Sequence, residues 1–142
     1  MIRNKPYRIV IDTNLWISFL ISNSYNKLDE FLLSGKIRIF FSAELLDEIS
    51  VTITKPKLRK HFGSYALEKM LLYFEPFIDI ITVKSIVSVC RDSNDNFLLA
   101  LAKDSKADFL LTGDRDLLDI KKFDKTKIVT ITSFLELLKD QD

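Results

Sequence analysis

Five short apolar runs rich in β-branched residues punctuate the chain at Tyr7–Ile11, Ile37–Phe41, Ile78–Val83, Asp108–Thr112 and Ile128–Ile131. Runs this short, with few polar interruptions, fit strands buried on both faces, and such strands need helices to cover them. The intervening segments have helical period: Leu15–Ile21, Leu28–Leu33, Ala43–Thr54, Tyr65–Phe74, Asn94–Asp104 and Phe134–Lys139, with a short helical turn between the fourth and fifth runs. This alternation predicts an α/β chain, a three-layer α/β/α sandwich around a central parallel sheet of about five strands. Gly35 and Gly113 fall where turns are wanted, Ser42 and Ser133 at expected N-caps, and Pro56 and Pro76 where helices should stop. The Ile78–Val89 stretch holds two apolar runs around Lys84 and Ser85, of which one is expected to be a strand.

At 142 residues, with 47% hydrophobic and 29% charged side chains, the chain has the size and composition of one packed domain, 1–142. The single cysteine, Cys90, has no internal disulfide partner and fits a reducing compartment. Met1–Ser22 combines early basic residues with apolar ones, as a signal peptide does, but Asp12 and Asn14 split the apolar stretch and no cleavage signature follows. The expected location is therefore the cytoplasm, with no membrane attachment. A net charge of +1 announces no nucleic-acid partner through the overall field, so that argument rests on local charge.

In an open parallel sheet, residues at the carboxyl ends of strands, and in the first turns of the helices that follow, share one edge, where ligands bind. Four segments deliver acids there: Asp12 of "IDTN", Glu44, Asp47 and Glu48 of "SAELLDEI", Asp92 and Asp95 of "RDSNDN", and Asp114 and Asp116 of "TGDRD". Singly, each has a structural reading. Asp12, Asn14, Asp92 and Asp95 suit helix caps, Glu44 and Asp47 suit a helical first turn, and "TGDRD" suits a tight turn. Jointly they are costly, because two carboxylates about 4 Å apart repel by roughly 4 kcal/mol at an effective dielectric near 20. A cation among them removes that cost. All-oxygen ligands suit magnesium or manganese, whereas the lone His61 and Cys90 make a poor zinc set. The chemistry that follows is metal-assisted phosphodiester hydrolysis.

The stretches "VIDTNLWISFL", "SAELLDEI", "DSNDNFLLALAKDSKADFLLTGDRDLL" and "IVTITSFLELL" resemble the successive motifs of PIN-domain nucleases, in the branch described as toxins of toxin–antitoxin systems. The resemblance implies a PIN-like, Rossmann-like fold and a ribonuclease using one or two Mg²⁺ or Mn²⁺ ions. It places the catalytic and metal-binding acids at Asp12, Glu48, Asp95 and Asp114, with Asp116 a further metal candidate and Asn14 and Thr112 supporting them. It also implies an RNA substrate, an antitoxin partner and a homodimer. Glu44 and Glu48 share a helix face that Asp47 does not, and Glu48 precedes Ile49 as the motif prefers. Asp92 stays open between facing the site and capping its helix. The stretch "TKPKLRKHF" offers Lys55, Lys57, Arg59 and Lys60 as RNA-phosphate contacts, against the alternative of a solvated connection. Arg91 and Arg115 either touch phosphate or offset local acids. Trp16, Phe19 and Leu20 read as a buried stripe.

Three other readings compete. A haloacid-dehalogenase-like phosphatase needs a second Asp where Asn14 stands, and a response-regulator receiver needs paired acids beside the first strand. A non-catalytic PIN-like module that binds RNA or protein without cutting would have lost one or more of the four acids, and all four are present.

Overall fold

The computed structural model describes residues 5–22, 26–63, 65–90 and 92–140. β1 (Tyr7–Ile11) runs into α1 (Thr13–Ser22) and α2 (Asn26–Leu33), and β2 (Ile37–Phe41) into α3 (Ala43–Ile53) and α4 (Ala66–Phe74). After β3 (Ile78–Ile80) come α5 (Asn96–Asp104), β4 (Phe109–Leu111), α6 (Arg115–Leu118), β5 (Lys122–Phe123), β6 (Thr126–Val129) and α7 (Ile131–Lys139). The sheet order is β3-β2-β1-β4-β6-β5, parallel except for β5, which pairs antiparallel with β6. The expected α/β/α sandwich is thus present, with six strands rather than five.

Both faces of the sheet are covered. On one, Ile9, Phe41 and Phe109 share a face by register and strand period. Trp16 of α1 stacks on Phe41 at 5.0 Å and meets Phe74 of α4 edge-on at 5.2 Å, and Phe134 of α7 lies 5.1 Å from Phe109. Trp16, Phe19 and Leu20 are indeed buried. On the other face, Arg8 lies over Phe40, and its Nε donates to the Ser105 carbonyl just past α5 at 2.8 Å.

Several boundaries differ from expectation, three of them as follows. β3 stops at Ile80 rather than Val83 because its neighbour β2 ends at Phe41; the Ile81 N–H takes the Phe41 carbonyl, and the ladder has no further rung. Ile131 opens α7 instead of closing a strand, because Thr130, not Ser133, is the N-cap and accepts from the Ser133 N–H at 3.1 Å. α5 begins at Asn96, preceded by a 3₁₀ turn over Ser93–Asp95. Ser42 caps α3 as expected, accepting from the Leu45 N–H at 3.2 Å.

The strand order reverses direction between β1 and β4, since β1 leads outward to β2 on one side and β4 leads to β6 on the other. A crevice at the carboxyl ends of such a pair is the place where open α/β sheets bind ligands. Asp12 follows β1 at that point, and Asp114 follows β4 by three residues.

Candidate active site

Asp12 is buried, with both carboxylate oxygens engaged. Oδ1 accepts from the Leu15 N–H at 2.7 Å, which caps α1, and Oδ2 accepts from the Thr112 hydroxyl across the β1–β4 junction. Capping and ligand readings are therefore compatible, since the cap fixes the carboxylate's direction. Burial pushes the Asp12 pKa up, the Thr112 and Leu15 hydrogen bonds pull it down, and the Asp114 charge pushes it up again.

Thr112 ties two strand ends together. Its hydroxyl donates to Asp12 and accepts from the Asp114 N–H at 2.9 Å. Asp114 in turn caps α6, its Oδ1 accepting from the Asp116 N–H at 2.8 Å. That bond fixes the backbone of Asp116, two residues on and half-buried.

Asp95 arrives from the 3₁₀ turn before α5 and does not cap that helix with its side chain. Its pKa is raised to about 6, first by desolvation, then by Asp114, by Asp92, by a side-chain hydrogen bond with Asp114, and by Asp12. Its Oδ2 is buried without a hydrogen-bond partner. Asp92 caps the same turn, accepting from the Asn94 N–H at 3.0 Å, so its capping role is present and its charge still reaches Asp95. Asn96 holds this turn to the preceding segment by accepting the Cys90 N–H at 2.9 Å. The Cys90 thiol is pushed up by burial and by Asp95, Asp116 and Asp114.

Between α1 and the β4–α6 turn lies a cleft of about 340 Å³, lined by Asp12, Asn14, Leu15, Ser18, Gly113 and Asp114. Leu15, Ser18 and Gly113 were not among the site residues expected from the sequence. Ser18 had a readable signal, because it stands four residues after Asn14 and so shares its helix face.

Glu48 stands exposed on α3, flanking the buried stripe of Leu45, Ile49 and Thr52, with Asp47 turned away. Glu48 is not among the residues that line the cleft with Asp12 and Asp114. Lys55, Lys57, Arg59 and Lys60 are exposed beyond the end of α3, Lys55 being ~10 Å past Glu48 along the helix direction. Arg91 lies outside the described residues, and Arg115 is exposed at the start of α6.

Among the described residues, no group of three or more acidic, histidine or cysteine side chains is placed to hold a metal ion by itself. The donor set is all oxygen, and the partnerless Asp95 Oδ2, whose carboxyl feels the charges of Asp12 and Asp114, would suit a hard cation that keeps several waters.

A mostly parallel sheet between helices, with carboxylates meeting in a cleft at its switch point, defines an α/β protein with an acidic site. The chain belongs to the PIN domain family, which it matches over residues 8–116. It is 35% identical over 129 residues to the uncharacterized protein MJ1680 of Methanocaldococcus jannaschii, covering 89% of this chain and 81% of that protein. Two solved structures share the fold. PAE2754 from Pyrobaculum aerophilum superposes with TM-score 0.56 at 20% identity, covering 94% of this chain and 90% of that one. Mycobacterium tuberculosis VapC20, described as a sarcin–ricin-loop-cleaving toxin, superposes with TM-score 0.54 at 12% identity, covering 84% and 98%. Among the described residues, no helix is long and apolar enough to cross a membrane.

Proposed function

We propose that this chain is an endoribonuclease dependent on Mg²⁺ or Mn²⁺, acting as the toxin of a toxin–antitoxin pair in the cytoplasm. The observation that carries the reading is the buried, partnerless Asp95 Oδ2 beside two further carboxylates at the switch-point cleft. Membership of the PIN family supports it, and so does the fold shared with a toxin that cleaves the sarcin–ricin loop.

Asp12, Asp95 and Asp114 would hold the cation, with Asp116 and Glu48 as further acidic groups. A divalent ion held there would supply activation of a water for attack on a phosphodiester and charge stabilisation at the leaving oxygen. Thr112 fixes the rotamer of Asp12 and the backbone of Asp114 through one hydroxyl, so both acids keep a set orientation. Asn14 and Ser18 present an amide and a hydroxyl along the cleft wall, where they orient phosphate oxygens. Lys55, Lys57, Arg59 and Lys60 supply phosphate contacts outside the cleft. We include a homodimer and an antitoxin protein as partners, and one domain spanning 1–142.

The test is cleavage of RNA by the purified chain with Mg²⁺ or Mn²⁺ and with excess chelator, followed by analysis of the ends. The expected products carry a 5′-phosphate and a 3′-hydroxyl. Full-rate cleavage in chelator overturns the metal reading, and absence of cleavage with either metal favours a binding module.

A further inference from the structure

A cation-rich region occupies the opposite, amino edge of the sheet. Lys103 lies in the last turn of α5, Lys106 in the turn to β4, and Lys122, Lys125 and Lys127 around the β5–β6 turn; all five are exposed. Lys103, Lys106 and Lys125 line a cavity of about 310 Å³ with Asp104, Asp124 and Thr126.

Two features of this region work against stability. Lys106 and Lys121 have φ of 55° and 67°, and Asp124 has 54°, left-handed conformations that glycine adopts without cost. The chain does use glycine for this purpose elsewhere, at Gly35 after α2, with φ 76°. In addition, Lys122 and Lys127 are directly opposed in the antiparallel β5–β6 pair, where like charges repel. Ordinary structural roles explain individual members: Lys103 offsets the α5 dipole, and Lys122 blunts an edge strand. They explain neither lysine in the two left-handed positions nor the choice of lysine opposite lysine.

Two acids at this edge are already engaged. Asp104 accepts from the N–H groups of Lys84 and Ser85 at 2.6 and 2.9 Å and from the Ser85 hydroxyl, and Asp108 accepts from the Arg8 N–H at 2.8 Å. Among the described residues, no salt bridge holds Lys103, Lys106, Lys122, Lys125 or Lys127. A compact anion in the cavity would meet Asp104 and Asp124, whereas a chain of phosphates running along the edge meets the lysines separately. Lysines supply point charges without the planar fork that reads bases or grips one phosphate bidentately.

We propose that the amino edge, centred on Lys103, Lys106, Lys122, Lys125 and Lys127, binds the phosphodiester backbone of a nucleic acid, independently of the acidic cleft on the opposite edge. This goes beyond the cleavage reading and is measured without metal, so either can fail alone.

The experiment is fluorescence anisotropy of a labelled oligouridylate with the full chain in EDTA, between ~50 and ~200 mM salt. Replacing Lys103, Lys122, Lys125 and Lys127 together by Gln should weaken binding at least ~10-fold and lower the log–log salt slope by about 2 to 3, at roughly 0.7 per phosphate contact. The variant Lys106→Gly should raise the melting temperature by a degree or more while weakening RNA binding, two changes of opposite sign that a merely structural role does not produce. An oligodeoxythymidylate should behave like the RNA, because the contact is to the backbone. Binding by both variants equal to that of the parent chain at every salt overturns the proposal. So does dependence of anionic-vesicle binding, and not RNA binding, on these lysines.

Discussion

Carboxylates in the cleft and carboxylates elsewhere are treated in opposite ways. At the switch point, Asp12 and Asp95 are pushed up by burial and by one another's neighbours, and Asp95 keeps an oxygen without a partner. Away from it, Asp79 is held down by the Arg38 guanidinium, and Asp104 by the Ser85 hydroxyl and two backbone N–H groups. The second pair is arranged to favour folding of the free chain. The first is destabilised by its own arrangement, the pattern in which perturbed carboxylates cluster at functional sites.

The largest effect expected from this contrast is on cleavage. Asp12→Asn keeps the cap to Leu15 through an amide oxygen while removing the charge at the centre of the cleft. RNA cleavage should fall at least ~100-fold, more than loss of an outer partner does, with the melting temperature near that of the parent. Cleavage at the parent rate by Asp12→Asn would show that the acidic cleft is not the reacting centre.

Thr112→Val comes next. Removing one hydroxyl releases the Asp12 Oδ2 and leaves the Asp114 N–H without its acceptor. Loss of such a supporting group should weaken Mn²⁺ affinity, read by calorimetry, by ~10–100-fold. If Asp12 were only a helix cap, metal affinity would not move, because the Leu15 bond survives the change.

Thr112 also illustrates what the sequence makes legible. Asp12, Thr112 and Asp114 follow recognisable strands, so strand ends and switch-point logic suffice to collect them. Ser18 required the true start of α1, which the Asp12 cap places at Thr13 rather than Leu15. β5 was not readable, because a two-residue strand of Lys122 and Phe123 has no period and exists only through its pairing with β6. The end of β3 was hidden for a similar reason, since Ile81–Val83 keeps strand-like composition after its neighbour has turned away. The lysine edge is spread over residues 103–127 among as many acids, and only the fold separates engaged aspartates from exposed lysines.

The pH dependence of the metal-free chain sharpens the contrast. The folded pKa of Asp95, about 6, lies above its unfolded value, so the folded state holds the proton more tightly. Stability should therefore decline as pH rises from about 4 to about 6 and stay lowered above that. After discounting for solvent screening, the cost is on the order of 1 kcal/mol. Asp95→Asn should reduce this decline, leaving the part due to Asp12, and melt higher than the parent at neutral pH in chelator. Added Mn²⁺ should stabilise the parent and not the variant. A parent profile that rises through this window would show that the cleft acids are not held at that cost.

The smallest effect belongs to Asp79, whose linkage has the opposite sign. Arg38 holds it in a fork, Nε to Oδ2 at 2.5 Å and Nη2 to Oδ1 at 2.9 Å, across adjacent strands β2 and β3. The Asp79 pKa is lowered in the folded state, so its contribution is present above the unfolded carboxylate range and fades as pH falls below about 4. Both side chains are about two-fifths exposed, at 39% and 43%, which keeps the pair's worth under ~1 kcal/mol and makes it sensitive to salt. Asp79→Asn should lower stability slightly at pH 7 and leave it unchanged near pH 3, and added salt should shrink the difference. Because the same acid titration that relieves Asp95 weakens Asp79, the double variant Asp79→Asn, Asp95→Asn should have a flatter pH–stability profile than either single variant. Additivity is expected only if the cleft and the β2–β3 edge are energetically separate. A coupling energy well above ~0.5 kcal/mol would mean that the cleft acids are held in place by the far side of the sheet as well as by Thr112.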